Sequence, residues 1–139
     1  FEMGSSRPLD FGHWAAHKLE QLTEFEVKHG EAVAIGIALD LAYAVNEGLL
    51  AHNVFERVYA VLGQLGFTLF HPLLLNQETN TLNPEVYAGL EEFRAHLGGQ
   101  LTITLIKEIG IQFNVHEMNK NSLDRAALLL RQKSIIHAN

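Results

Sequence analysis

Histidines stand at positions 13, 17 and 29 of a stretch otherwise suited to buried helix, DFGHWAAHKLEQLTEFEVKHGEAVAIG, residues 10–36. His13 and His17 are four apart, so on a helix both imidazoles project from one face about one turn apart, a spacing that can bring two nitrogens to one ion. His29 comes twelve residues after His17, where a sharp turn could return it to the same spot. A catalytic zinc site takes three protein ligands, commonly histidines with a carboxylate, and keeps a fourth position for water or substrate. The chain has no cysteine, so any metal here must use nitrogen and oxygen ligands. Gly12 before His13 and Gly30 after His29 let backbone approach closely. On spacing alone the pair stays open. HxxxH lacks the glutamate of a metalloprotease motif, and two solvated or hydrogen-bonded helix histidines would have the same pattern. His52, His71, His116 and His137 read as ordinary satisfied or solvated residues.

The elements that must position these rings are mostly helical. Asp10 is a good N-cap, and Trp14, Ala15, Leu19 and Leu22 keep helical spacing to about Thr23. Glu24 to Lys28 is a charged connector, and His29 opens a second helix that runs to about Asn46 and is closed by Gly48. Ala32, Ala34, Gly36 and Ala38 keep that helix slim, so neighbours can approach closely, and it should be central. A third helix is expected from Asn53 to Leu65, with Val54, Val58, Val61, Leu62 and Leu65 inward and Gly66 as its stop. Phe67 to Pro72 reads as irregular and Asn76 to Asn83 as a surface loop. Pro84 sits at the first position of a fourth helix, expected to reach Leu97 before Gly98-Gly99. Leu101 to Ile106 alternates and is β-branched, a strand that Ile111 to Val115 can pair with. Ser122 to Gln132 is again helical, capped by Ser122, with Leu123, Ala126, Ala127 and Leu130 inward. The fold expected is mainly α, one helical domain over residues 1–139 with a small β-hairpin.

Composition narrows the function. With 139 residues, 47% hydrophobic and 19% charged, the chain suits a single folded domain and is too apolar for disorder. A formal charge of −6 without a Lys/Arg-rich run argues against nucleic acid and against an anionic membrane surface. The most apolar stretch, Ala32 to Ala44, holds Asp40 and is shorter than the roughly 20 residues a bilayer requires. Lack of cysteine agrees with a cytoplasmic location. The chain opens on Phe1, which reads as a fragment with protein missing on its N-terminal side.

GHWAAHKLE, residues 12–20, followed by HGEAVAIG, residues 29–36, resembles the dehydroquinate synthase family of sugar phosphate cyclases. Its motif reads GHxxGHxxE, then HGEAVAIGM, with the same offsets between the histidines. GGQLTITLIKEIG, residues 98–110, is similar to that family's closing hairpin. The resemblance implies a helical C-terminal domain holding the metal and much of the sugar-phosphate site, with an NAD-binding α/β domain lying in the part not present here. It implies His13 and His29 as ligands of Zn2+ or Co2+, a third ligand, a glutamate, from the missing part, and His17 managing protons around the leaving phosphate. The implied chemistry is an NAD-dependent transient oxidation of a heptulosonate or heptulose phosphate, elimination of phosphate, re-reduction and an aldol closure to a carbocycle. A homodimer is also implied, and the fragment alone should be inactive.

Several positions depart from the family pattern. Asp10 stands where dehydroquinate synthases have Asn, a change shared by relatives that cyclise sedoheptulose phosphate, and an anion there disfavours a carboxylated substrate. Arg7 stands one residue after the place of the family's phosphate-binding arginine, now Ser6; it is either that ligand or a surface residue. In place of the family's Asp-Lys-Lys the chain has Phe93-Arg94-Ala95-His96, where Arg94 or His96 could supply a cation for phosphate or form a solvated helix end. Ala16 replaces a family glycine. Glu20 and Glu31 match family glutamates, and Glu31 would either orient His29 by accepting from its ring or favour the helix N-terminus electrostatically. Two other readings compete: a metal-dependent alcohol or polyol dehydrogenase, and a non-catalytic helical interaction module.

Overall fold

The computed structural model describes residues 13–96, 103–108, 111–115 and 117–137, with His13, His96, the strands at 103–108 and 111–115, and residues 136–137 given by backbone. Five helices are described: α1 (His13–Leu22), α2 (His29–Asn46), α3 (His52–Gln64), α4 (Pro84–His96) and α5 (Lys120–His137). A 3-10 turn at Pro72–Leu74 leads into a two-residue ladder of β1 (Leu75–Asn76) and β2 (Thr81–Leu82), and β3 (Ile103–Glu108) pairs antiparallel with β4 (Ile111–Val115). The fold is mainly α, as expected.

Helix α2 is the axis of the domain. Eleven of its residues are buried, from Ala32 to Ala44, and α1, α3 and α5 pack around it. Its alanines let these neighbours close in. The helix ends as its sequence dictates: Gly48 takes φ +76 and its N–H donates to the Val45 carbonyl (3.0 Å), while Leu49 N–H donates to Ala44 (2.8 Å). That is the Schellman arrangement glycine favours. Helix α3 stops in the same way at Gly66, φ +98. No described helix is long and apolar enough to cross a membrane.

Elsewhere the structure corrects the expected faces and caps. In α3 the expected Val54, Val58 and Leu62 pack against the core partly buried, but its fully buried contacts are Phe55 and Tyr59, and Val61 and Leu65 are exposed at 52% and 68%. Two large aromatics one turn apart bury much area, so they turn the helix to put themselves deepest and Val61 and Leu65 outward. Within the expected loop at Asn76–Asn83, Leu75 pairs with Leu82 and Asn76 with Thr81. The Asn76 side chain accepts from Glu78 N–H (2.9 Å), and Leu82 N–H is held by Asp124 of α5 (3.0 Å). Helix α5 is capped by Asn119, whose side chain accepts from Ser122 N–H (3.2 Å). Ser122 lies one turn inside and donates its hydroxyl to Glu47 at the end of α2. Leu123, Ala126, Ala127 and Leu130 are buried as expected.

Helices α1 and α2 form an antiparallel pair joined by a tight turn. Glu24 and Phe25 both lie in the left-handed region, φ 53 and 65, which costs non-glycine residues about 1–2 kcal/mol each. Hydrogen bonds hold them there: Phe25 N–H to the Glu20 carbonyl (2.7 Å), Glu24 N–H to Gln21 (3.1 Å) and the Thr23 hydroxyl to Leu19 (2.8 Å). The reversal returns the chain onto α1, and His29 starts α2 beside the end of the preceding helix.

Candidate metal centre

Helix α1 divides into two sides. Trp14, Ala15, Ala16 and Leu19 are buried, so Ala16, which stands at a family glycine, is part of the core. His13, His17 and Glu20 fall at offsets 0, 4 and 7, a stripe along the other side. His17 is exposed. His29 meets this stripe from α2: its Nδ1 lies 3.2 Å from a Glu20 carboxylate oxygen, with the histidine side chain 63% exposed and the glutamate 13%. If Nδ1–H donates to this carboxylate, the neutral ring carries its lone pair on Nε2. A histidine held by a carboxylate on one nitrogen is the usual arrangement when the other binds a metal, so the donor chemistry at His29 suits a divalent ion.

The carboxylate on His29 is thus Glu20's. Glu31, expected either to orient His29 or to favour the helix N-terminus electrostatically, lies in the first turn of α2 and accepts from Thr68 N–H (2.9 Å). Two residues along a helix is more than half a turn, so Glu31 points to another side of α2 and ties down the segment after α3. There it borders an open groove of about 290 Å³ with Lys28, Ile35, Thr68, Phe70 and His71. His71 is engaged as the cap of the 3-10 turn, its Nδ1 accepting from Leu73 N–H (3.0 Å). Among the described residues a side chain at Gly30 would meet only the Phe67 ring, at 3.9 Å, so within them the close approach expected at this glycine is not seen.

The other expected residues are placed as follows. Arg94 lies on α4, where its Nε pairs with Glu91 one turn earlier (3.2 Å). His96 ends α4. Asp10 and Arg7 lie outside the described residues. Among the described residues no three metal-binding side chains converge; His13 enters that description by its backbone at the first position of α1. Glu20 was legible in the sequence only as a motif match, although its place seven residues after His13 was a usable sign that it shares their stripe.

Residues 1–86 match the family described as 3-dehydroquinate synthase C-terminal. The chain belongs to this family. Among curated relatives, the 2-epi-valiolone synthase of Actinosynnema mirum is 31% identical over 94% of this chain and 34% of its own length. The 3-dehydroquinate synthase of Clostridium perfringens is 32% identical over 78% of this chain and 29% of its own. A solved 2-epi-5-epi-valiolone synthase from Streptomyces hygroscopicus, with NAD+ and Zn2+ bound, superposes with a TM-score of 0.80 at 28% identity, over 90% of this chain and 33% of that one. The chain therefore spans about a third of the length of these family members.

Proposed function

We propose that this chain is the metal- and substrate-holding part of a sugar phosphate cyclase, which eliminates phosphate from a heptulose or heptulosonate phosphate and closes a carbocycle with NAD and a divalent ion. The contact of Glu20 with His29, at the head of the HGEAVAIG helix, carries the reading. It is supported by the family and by a neighbour solved with NAD+ and Zn2+. His13 and His29 would hold Zn2+ or Co2+, with a further ligand and the NAD site supplied by the N-terminal part of the full-length protein. When bound, the ion supplies Lewis acidity and a template for substrate oxygens, and NAD supplies a reversible hydride acceptor.

The chain's own residues account for the rest. Glu20 keeps the His29 ring from turning, which directs Nε2 to one place. His17 stands one helical turn from His13 and is exposed, so it can reach and exchange a proton with a leaving phosphate oxygen close to the ion. Asp10, Arg7, Arg94 and His96 are the candidates for contacts to the substrate. An aspartate at position 10 repels a substrate carboxylate, which favours an uncarboxylated heptulose phosphate over a heptulosonate.

The test is phosphate release by the full-length protein, loaded with NAD and zinc, on sedoheptulose phosphate against heptulosonate phosphate. A cyclase releases phosphate without accumulating NADH, and here should prefer the former sugar. Accumulation of NADH would mark a dehydrogenase instead. No phosphate from either sugar, with His13→Ala and His29→Ala indistinguishable from the parent in metal content, would remove the proposal altogether.

A further inference from the structure

Asp40 lies deep in α2, 1% exposed, in a helix whose other buried residues are alanine, leucine, isoleucine, glycine and tyrosine. A carboxylate in such surroundings is unfavourable unless it is hydrogen-bonded, and for stability alone a leucine of similar size would serve as well or better. One oxygen of Asp40 accepts from the indole Nε1–H of Trp14 at 3.0 Å. Trp14 is 2% exposed and stands between His13 and His17 in the sequence. The bond therefore joins the helix carrying those two histidines to the helix that begins with His29.

Its position along α2 matters. Asp40 follows His29 by eleven residues, close to three full helical turns, so the two lie on the same side of α2. Along that side α1 is fixed at two polar points, Trp14 on Asp40 near its start and Glu20 on His29 near its end. Apolar packing tolerates small slides and rotations of one helix on another, whereas a directed hydrogen bond does not. One such point would leave α1 able to pivot. Two fix both its rotation and its travel along α2.

We propose that Trp14 and Asp40 are positioning residues for the metal centre: their buried hydrogen bond sets the rotation of α1 on α2, and with it the placement of His13 relative to His29. The inference rests on the reading that those two histidines bind the ion. Neither residue touches substrate or metal in this account.

The test uses the full-length protein and three variants. Trp14→Phe keeps an aromatic ring and removes the N–H; Asp40→Leu fills the space without an acceptor; Asp40→Asn keeps a carbonyl oxygen in the same place. Trp14→Phe and Asp40→Leu should remain folded by circular dichroism yet bind Co2+ about ten-fold more weakly in chelator competition, the low end of what losing a group bonded directly to a metal ligand costs. Their cobalt absorption bands should shift and α1 amides should exchange faster without metal, while Asp40→Asn stays near the parent in all three. The double variant Trp14→Phe/Asp40→Leu should be no weaker than Asp40→Leu alone, since the Trp14–Asp40 bond is already lost there. Parental cobalt affinity, spectrum and α1 exchange in Trp14→Phe and Asp40→Leu would overturn the positioning role while leaving the metal reading in place. A parent protein that takes up no cobalt would overturn the metal reading, and the positioning role with it.

Discussion

Replacing Glu20 by alanine should weaken zinc binding by the full-length protein about ten-fold, or roughly 1.4 kcal/mol, without unfolding it. Loss of a carboxylate behind a metal-bound histidine spans about 10- to 100-fold in general. The structure points to the lower end. The Nδ1–oxygen distance is 3.2 Å and the His29 side chain is 63% exposed, so the contact is longer than the ~2.8 Å of a tight charge-assisted bond and is partly screened. Helix stability is not the cause of the loss. Glu20 lies in the last turn of α1, His13–Leu22, where a negative charge opposes the helix dipole, so its removal should change the stability of α1 by no more than a few tenths of a kcal/mol. Glu20→Gln keeps a carbonyl acceptor for Nδ1–H and should lose only about three-fold, an intermediate value consistent with the charge adding to a hydrogen bond. Competition with a chromophoric chelator, at a temperature well below the thermal midpoint, measures both. Parental affinity in Glu20→Ala, alongside a large loss in His29→Ala, would refute the reasoning that Glu20 directs the ring.

Three further outcomes follow from named contacts. His17→Ala should leave zinc affinity unchanged and lower kcat for phosphate release by about 100-fold or more, with the acid or base limb of the pH–rate profile lost; reduced metal content in that variant would reassign the residue. Gly89→Ala should destabilise the protein by about 1 kcal/mol, because its Cβ would stand 3.0 Å from Lys18 Cβ and 3.4 Å from the Trp14 carbonyl, and overpacking against these fixed atoms outweighs the helix propensity gained; a higher urea midpoint would show that α4 can step aside. Burial raises the ionisation of both Tyr43 and Tyr59 above 10.0, helped at Tyr59 by Glu56. The unfolded state then gives up these protons first, so stability should fall as pH rises past 10.0. Urea midpoints at pH 8, 9 and 10.5 measure this, with Tyr59→Phe expected to flatten the decline; stability that holds level or climbs over that range contradicts it.

The central helix was legible to the residue, His29–Asn46 with Gly48 beyond it, because a long apolar run, a polar opening and a glycine stop all agree there. The strand pairing was legible from its β-branched alternation, although β3 runs past the expected Ile106 to Glu108, which pairs with Ile111, and Pro84 marked the start of α4. What the residues concealed are matters settled between elements. Periodicity allowed several faces for α3, and Phe55 and Tyr59 chose one only on meeting the core. Ser122 and Asn119 are both good caps in isolation; docking on Glu47 takes Ser122, which leaves Asn119 to the helix end. At the site, spacing identified the histidines and their shared stripe, while the choice of Glu20 over Glu31 as the partner of His29 depends on how α1 lies against α2, which local sequence does not encode.

The sharp reversal at Glu24 and Phe25 leaves six residues, 23–28, between the end of α1 and the start of α2. With so short a leash, a cation caught by an imidazole on one helix meets its counterpart on the other at an effective concentration of about millimolar or above. On the proposed reading, capture by His13 and His29 would then be a chelation event local to residues 13–29.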